Sequence, residues 1–473
     1  MEKEKLHIVL LPWFAFGHMI PYLDLAKRFA RMGHRVSYLS TPRNIDRLPT
    51  VPPDLQPQLN FVKLTTSPVS GLPEDAQSTR DAPSHQICLI MKLQDGMEGP
   101  LRAFIQDNPF PDWIIYDMFH HWAPAVAADY GISSAFFTIL PAMSHCFIGP
   151  PSALLDSRED PSPHHFTAPP PWIPFPTNLA WRYHDAVRLT KNASGISSVT
   201  GVPMNQRLGK AIQGCDVAAV RSCIDFEPEW IQLLSQLYQK PVFPLGFLPP
   251  SATGWNNEVD EPLAVLEWLG KQKPGSTVYV AFGSEWQLNR EEVHEIAFGL
   301  ERSGLPFFWA YRADEDLLPE GFEDRMKSQG LIHVGWAPQG RLLSHKSIGC
   351  FLTHAGWGST VEGLALGKPL VMLPMHADQG LIALRMAEKK VGVDVPRKEE
   401  DGSFEGDGVA KCLKLVMLEK EGELIRSNAL QMMKIFGNEK RNNQYIEEFV
   451  NYLIENRRQN SCLIHNSRQM RPT

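Results

Sequence analysis

Residues 336–379 read WAPQGRLLSHKSIGCFLTHAGWGSTVEGLALGKPLVMLPMHADQ. The apolar run at 348–353 has the length of a buried strand, and the His-Ala-Gly-Trp-Gly-Ser turn after it leads into a helix start near Ser359. Backbone N–H groups and the dipole at a helix N-terminus make an anion site. Gly356 and Gly358 allow close backbone approach there, and Ser359 can both cap the helix and donate to an oxyanion. With His354 beside that point, a diphosphate would fit. Trp336 offers a flat face for a nucleobase, and Glu362, one turn into the helix, can accept from ribose hydroxyls. Asp378 and Gln379 follow a second strand at 370–373 and could read sugar hydroxyls. Each residue alone also has an ordinary role open to it: Trp336 in a core, Ser359 and Glu362 at a helix end, Gln379 at a solvated surface.

The same strand-then-helix alternation extends outward in both directions. Upstream of the quoted stretch, strands are expected at 277–282, 306–311 and 331–334, with a helix at 290–302. The amino-terminal half repeats the pattern. Its strands are expected at 7–13, 34–40, 113–116 and 134–138, and the 3.6-residue spacing at 19–32 gives a helix with Pro21 in its first turn. Buried strands alternating with helices indicate parallel sheets covered on both faces. The chain is therefore read as α/β, with two doubly wound domains whose shared cleft holds the ligand at the carboxyl ends of the strands. A Pro/Gly/Asn/acid-rich break separates them as a linker. The expected division is 1–248, linker 249–262, 263–445, and a carboxyl-terminal helix and tail at 446–473. The proline-rich segment 149–177 interrupts the first domain and is expected to be neither regular helix nor central strand. It is either a surface loop or one wall of a pocket, to which Phe166, Trp172 and Phe175 would lend apolar surface.

At 473 residues the chain exceeds what one core usually supports. Its net charge of −7 gives no global reason to bind nucleic acid or an anionic membrane. Seven scattered cysteines, none at C-x-x-C spacing, suit a reduced cytoplasmic protein without a structural zinc site. Glu2 and Glu4 spoil the basic flank of a signal peptide, and no charge-free apolar stretch is long enough to cross a bilayer. G-x-G-x-x-G, the P-loop, H-E-x-x-H and G-x-S-x-G motifs are all missing.

Taken together, Trp336-Ala337-Pro338-Gln339, His345, His354, Gly356-Trp357, Ser359, Glu362, Gly367, Pro369, Pro374 and Asp378-Gln379 resemble the plant secondary-product box of family-1, UDP-sugar-dependent glycosyltransferases, without a gap. The segment 12–18 (PWFAFGH) looks like that family's first strand–helix loop, and Phe282-Gly283-Ser284 like its phosphate loop. The segments 40–44 (STPRN) and 225–229 (DFEPE) resemble the glycoside-elongating, rhamnosyltransferase-like subfamily. The resemblance implies the GT-B fold, two Rossmann-like domains with the donor held by the second.

It also implies roles for matching residues. Trp336 would stack on uracil, with Ala337 and Gln339 near the base and ribose, and Glu362 would hold ribose hydroxyls. His354, Ser359 and Ser284 would bind the diphosphate, while Trp357, Asp378 and Gln379 would contact the transferred sugar. His18 would be the base and Asp117 its orienting carboxylate. Neither metal nor cofactor is expected, the UDP-sugar being a co-substrate, and the enzyme is expected to act as a cytoplasmic monomer on a small-molecule acceptor. One departure stands out: Gly358 occupies a position where most members carry Asn, so the donor lacks that side chain's help.

The chemistry suits the pair. A sugar hydroxyl is a poor nucleophile, and imidazole is the base whose ordinary pKa lies nearest neutrality. A carboxylate on its far nitrogen fixes the tautomer and stabilises the imidazolium that forms. The competing possibility for His18 is a helix cap. For the whole chain, the rivals are a UDP-sugar-binding protein without turnover and an NAD-dependent oxidoreductase, the latter opposed by the missing glycine fingerprint.

Overall fold

In the computed structural model, the described residues are 4–108, 110–156, 162–249, 263–312 and 315–458. The expected linker, apart from Pro249, and the tail after Arg458 lie outside them.

The amino-terminal strands are β1 His7–Leu11, β2 Arg35–Ser40, β3 Leu59–Lys63, β4 Trp113–Tyr116, β5 Ser133–Thr138, β6 Val217–Val220 and β7 Val242–Pro244. They form one parallel sheet in the order β3-β2-β1-β4-β5-β6-β7. The remaining strands are β8 Thr277–Ala281, β9 Phe307–Tyr311, β10 Gly330–Val334, β11 Ile348–Thr353, β12 Leu370–Met372 and β13 Gly392–Asp394. They form a second parallel sheet, β10-β9-β8-β11-β12-β13. Successive side chains of a strand point to opposite faces, so a strand buried on both sides reads as a continuous apolar run. In β1, Ile8 and Leu10 enter one core layer while Val9 and Leu11 enter the other. In β8, Val278 and Val280 likewise part from Tyr279 and Ala281.

Strand order reverses between β1 and β4 in the first sheet and between β8 and β11 in the second. In an open parallel sheet, the loops at such a reversal diverge to opposite faces and leave a crevice at the carboxyl edge. His18 and Asp117 follow β1 and β4, and Ser284 and His354 follow β8 and β11. The topology thus places both groups at equivalent crevices.

Four local expectations are revised. The first helix spans Phe16–Arg31, not 19–32, so Pro21 sits in its second turn and removes a backbone donor there. Within the proline-rich segment, Pro151–Asp156 is helical, because Pro is tolerated where the helical N–H has no partner. The helix after β11 begins at Trp357 with Gly356 as its N-cap and no side-chain cap, so Ser359 is not the cap. The last helix, Glu439–Asn456, starts before residue 446 and lies on the first sheet. Ile446, Phe449, Val450 and Leu453 join its outer core, and Trp113 Nε1 donates to the Leu453 carbonyl at 2.9 Å.

Candidate active site

A cleft of about 2480 Å³ runs between the two sheets, and His18, Ser284, Trp336, His354, Ser359, Glu362 and Asp378 all line it. The two regions whose meeting the sequence reading required therefore share one cavity.

On the amino-terminal side, the register pairs Leu11 of β1 with Tyr116 of β4. His18 stands in the first turn of helix Phe16–Arg31, and Asp117 is the residue directly after β4. His18 Nδ1 lies 2.8 Å from Asp117 Oδ2. Asp117 also accepts from the Trp13 N–H at 3.1 Å and the Met118 N–H at 2.7 Å. Burial alone would raise this carboxyl, but the His18 charge, its hydrogen bond and the two backbone donors outweigh burial and hold it below the usual carboxylate range. An ionised Asp117 fixes the proton on Nδ1 and frees Nε2 to act as base. The helix cap is Ala15 with no side-chain hydrogen bond, so capping does not account for His18.

On the carboxyl-terminal side, Gly356 caps a helix with no acid in its first turn, leaving terminal N–H groups for an anion. The His354 imidazole is wedged between two glycines. A Cβ on Gly356 would stand 2.4 Å from its Nε2, and one on Gly283, where φ is +74°, 2.6 Å. Burial, aided by neighbouring His376, pushes His354 down to about 3. It is a neutral hydrogen-bonding group at neutral pH. Ala355 and Ala377 both hold left-handed backbone, φ +62° and +56°, unusual for residues with a Cβ and sited on either flank of the cradle.

The residues on this side are connected. Gln339 Nε2 donates to Glu362 Oε2 at 3.0 Å and to Ser359 Oγ at 3.2 Å. Burial raises the Glu362 carboxyl against the pull of Gln339 and Arg221. Trp336 is 48% exposed, its ring open to a stacking partner, and buried Ala337 lines the cleft beside it. Ser284 Oγ donates to Glu285 at 3.2 Å. Asp378 accepts from Ser144 Oγ at 2.8 Å, a contact across the cleft. The Gln379 amide oxygen accepts from the Met375 and His376 N–H groups, so that half of the side chain holds its own loop.

Trp357 lines the cleft, but its indole nitrogen is already committed. Its indole is 3% exposed, packs near Phe226, Phe247 and Phe436, and donates to the Arg221 carbonyl at 2.9 Å. The side chain welds the two sheets together and has no free polar atom for a sugar. Gly358 leaves open space where a side chain would stand, the nearest atom being Arg221 Nη1 at 3.7 Å.

Phe166 and Trp172 line the cleft together with Phe119, Phe147 and Trp181, whereas Phe175 is turned away against Trp230. His120 is buried against Gln94 and pushed to about 4 by burial, and His121 contacts Arg207, so neither joins the dyad. The sequence reading missed Glu285 and Arg221. Both line the cleft, and the available signal was a charge directly beyond an apolar strand or phosphate loop.

A model of the family described as UDP-glucoronosyl and UDP-glucosyl transferase matches residues 225–439. UDP-glycosyltransferase 91C1 of Arabidopsis thaliana is 44% identical over 96% of this chain and 97% of its own length. Soyasaponin III rhamnosyltransferase of Glycine max is 38% identical over 96% of each. Among solved structures, Arabidopsis thaliana UGT89C1 complexed with UDP-L-rhamnose superposes with a TM-score of 0.74 at 25% identity, covering 95% of this chain and all of that one.

Proposed function

The chain belongs to the plant UDP-glycosyltransferase family, enzymes of GT-B fold that move a sugar from a UDP-sugar to a plant metabolite, and from that premise we propose how its cleft divides the work. The observation that carries the proposal is the His18–Asp117 pair, 2.8 Å apart, opening into the same cavity as the uncapped helix N-terminus at Trp357.

His18 Nε2 takes the proton of an acceptor hydroxyl as its oxygen attacks the anomeric carbon. The new C–O bond forms as the bond to UDP breaks, with inversion, and the imidazolium rests on Asp117. Charge developing on UDP meets the N–H groups of helix Trp357–Ala365, with Ser359, Ser284 and neutral His354 as hydrogen-bond donors. Uracil stacks on Trp336 beside Ala337. Gln339 orients Glu362 toward the ribose, and Asp378 and Gln379 hold the sugar. Trp357 acts through position, fixing the start of the helix.

The donor is glucose or rhamnose, and the acceptor is a flavonoid, terpenoid or saponin, in favoured cases one already bearing a sugar. Support comes from the saponin-acting rhamnosyltransferase among the relatives and the rhamnose donor in the superposed structure. The aromatic wall of Phe119, Phe147, Phe166, Trp172 and Trp181 suits a large apolar aglycone. The enzyme is further proposed to be a cytoplasmic monomer: both halves of the site come from one chain, the six described cysteines are free, and no described helix is long and apolar enough to cross a membrane. The reading as a UDP-sugar-binding protein without turnover gains no support from the comparisons.

Pairing UDP-glucose and UDP-rhamnose with a panel of plant aglycones and glycosides, with mass-spectrometric readout, tests the assignment. A mass gain of one hexose or one deoxyhexose is expected, strongest on glycosides. UDP binding with no product from any pair would contradict it.

A further inference from the structure

Arg221 directly follows β6, at the carboxyl edge of the first sheet, and is only 3% exposed. Its backbone and most of its guanidinium are already committed. Its N–H donates to the Thr138 carbonyl at 3.0 Å, and its own carbonyl accepts from Trp357 Nε1. Nε donates to the Phe247 carbonyl at 2.6 Å and Nη2 to that of Leu248 at 3.4 Å. Nη1 is buried and, among the described residues, meets no acceptor. Leaving such a donor unpaired is costly.

The free nitrogen points at the donor cradle. It stands 3.7 Å from where a Cβ on Gly358 would be, in the first turn of a nine-residue helix without a side-chain cap. Nearby Asp24 and Glu362 draw on the guanidinium electrostatically, yet among the described residues neither forms an ion pair with it. Burial lowers Arg221 to about 10, which leaves it cationic at neutral pH. A buried cation thus sits beside the positive end of a helix, two like-signed charges that an anion would reconcile.

We propose that Arg221 is a donor-positioning residue whose Nη1 binds the UDP diphosphate in the space beside Gly358. The inference rests on the donor-site reading above and adds to it a ligand group from the opposite sheet. Ser284 and His354 lie in loops after strands of the second sheet, and Ser359 lies in the helix Trp357–Ala365 that follows β11. Because Arg221 also receives the Trp357 indole, donor binding would bear directly on the contact that joins the two halves.

The test is calorimetric titration of wild type and Arg221→Met with UDP and with uridine, which lacks the diphosphate. The expected result is a UDP affinity about 10–100-fold weaker in the variant, with uridine changed less than about threefold. A merely structural role would weaken both ligands alike, and an equal loss, or no loss, overturns the inference. If the methionine variant does not fold, Arg221→Lys decides by the same UDP-to-uridine ratio. One ammonium serves either the carbonyls or the diphosphate but not all of them, so the ratio should fall, and an unchanged ratio is contrary. Wild type binding neither ligand would instead overturn the donor-site reading itself, and this inference with it.

Discussion

His18 and His354 face the same cleft from equivalent crevices of two parallel sheets, yet their surroundings fit them for opposite tasks. His18 has a carboxylate on its inner nitrogen, supplied by Asp117 from 99 residues away. His354 has no carboxylate beside it among the described residues. Two glycine backbones close on its ring, and burial drives it to about 3. The first is oriented by a carboxylate, whereas the second is held neutral and can only offer hydrogen bonds. Placement at a strand end supplies access, and the partner and the degree of burial then decide whether an imidazole is a base or a neutral ligand.

The largest expected effect lies on the base side. His18→Ala should lower turnover by about 10²–10⁴-fold while leaving UDP affinity unchanged, as read by rate assays beside calorimetry. Near-normal turnover would remove His18 from the mechanism. Asp117→Asn should produce a loss of the same kind, since it keeps the side chain's size but loses the charge and one of the two oxygens that accept from His18, Trp13 and Met118.

On the other side the expected pattern reverses, with binding rather than rate failing. Gly356→Ala would force a methyl to 2.4 Å from His354 Nε2, and an overpacking cost of this kind should weaken UDP by about 10–100-fold. Equal UDP affinity in that variant would show that the imidazole is free to move. Trp336→Ala should remove a stacking face and cost UDP about tenfold, with acceptor KM unchanged.

The smallest effect concerns the protonation of His354 itself. Its folded pKa lies below that of the unfolded chain, so the unfolded state binds the extra proton between about pH 6.5 and 3, and native stability falls on acidification through that window. His354→Gln should flatten the fall by up to about 1.4 kcal/mol per pH unit, measured by denaturant unfolding between pH 6.5 and 5. Identical slopes would mean that His354 is not held neutral.

The same contrast explains what the sequence made legible. Part of the cradle is built locally: Gln339, Ser359 and Glu362 interact across 20 and 23 positions, all inside the quoted stretch. Strands β4 and β11 were read to the residue, because both are apolar runs with clear ends. Contacts across the cleft were not legible. Nothing local to Trp357 says that its indole will turn to the Arg221 carbonyl, 136 residues away, or that Ser144 will meet Asp378 across 234. The shape of the aromatic wall was equally hidden, because Phe166 and Phe175 lie in one proline-rich segment and only packing sends one into the cleft and the other behind it. The first helix began early for a related reason: the turn at Ala15 is set by backbone pairing to Trp13 rather than by a capping side chain.

A crystal structure with UDP and an acceptor bound would put the account to its most direct test. Uracil should lie on Trp336, the diphosphate at the N-terminus of helix Trp357–Ala365, and the acceptor hydroxyl about 3 Å from His18 Nε2. UDP bound away from that helix, or an acceptor oxygen out of reach of His18 with the donor in place, would contradict it.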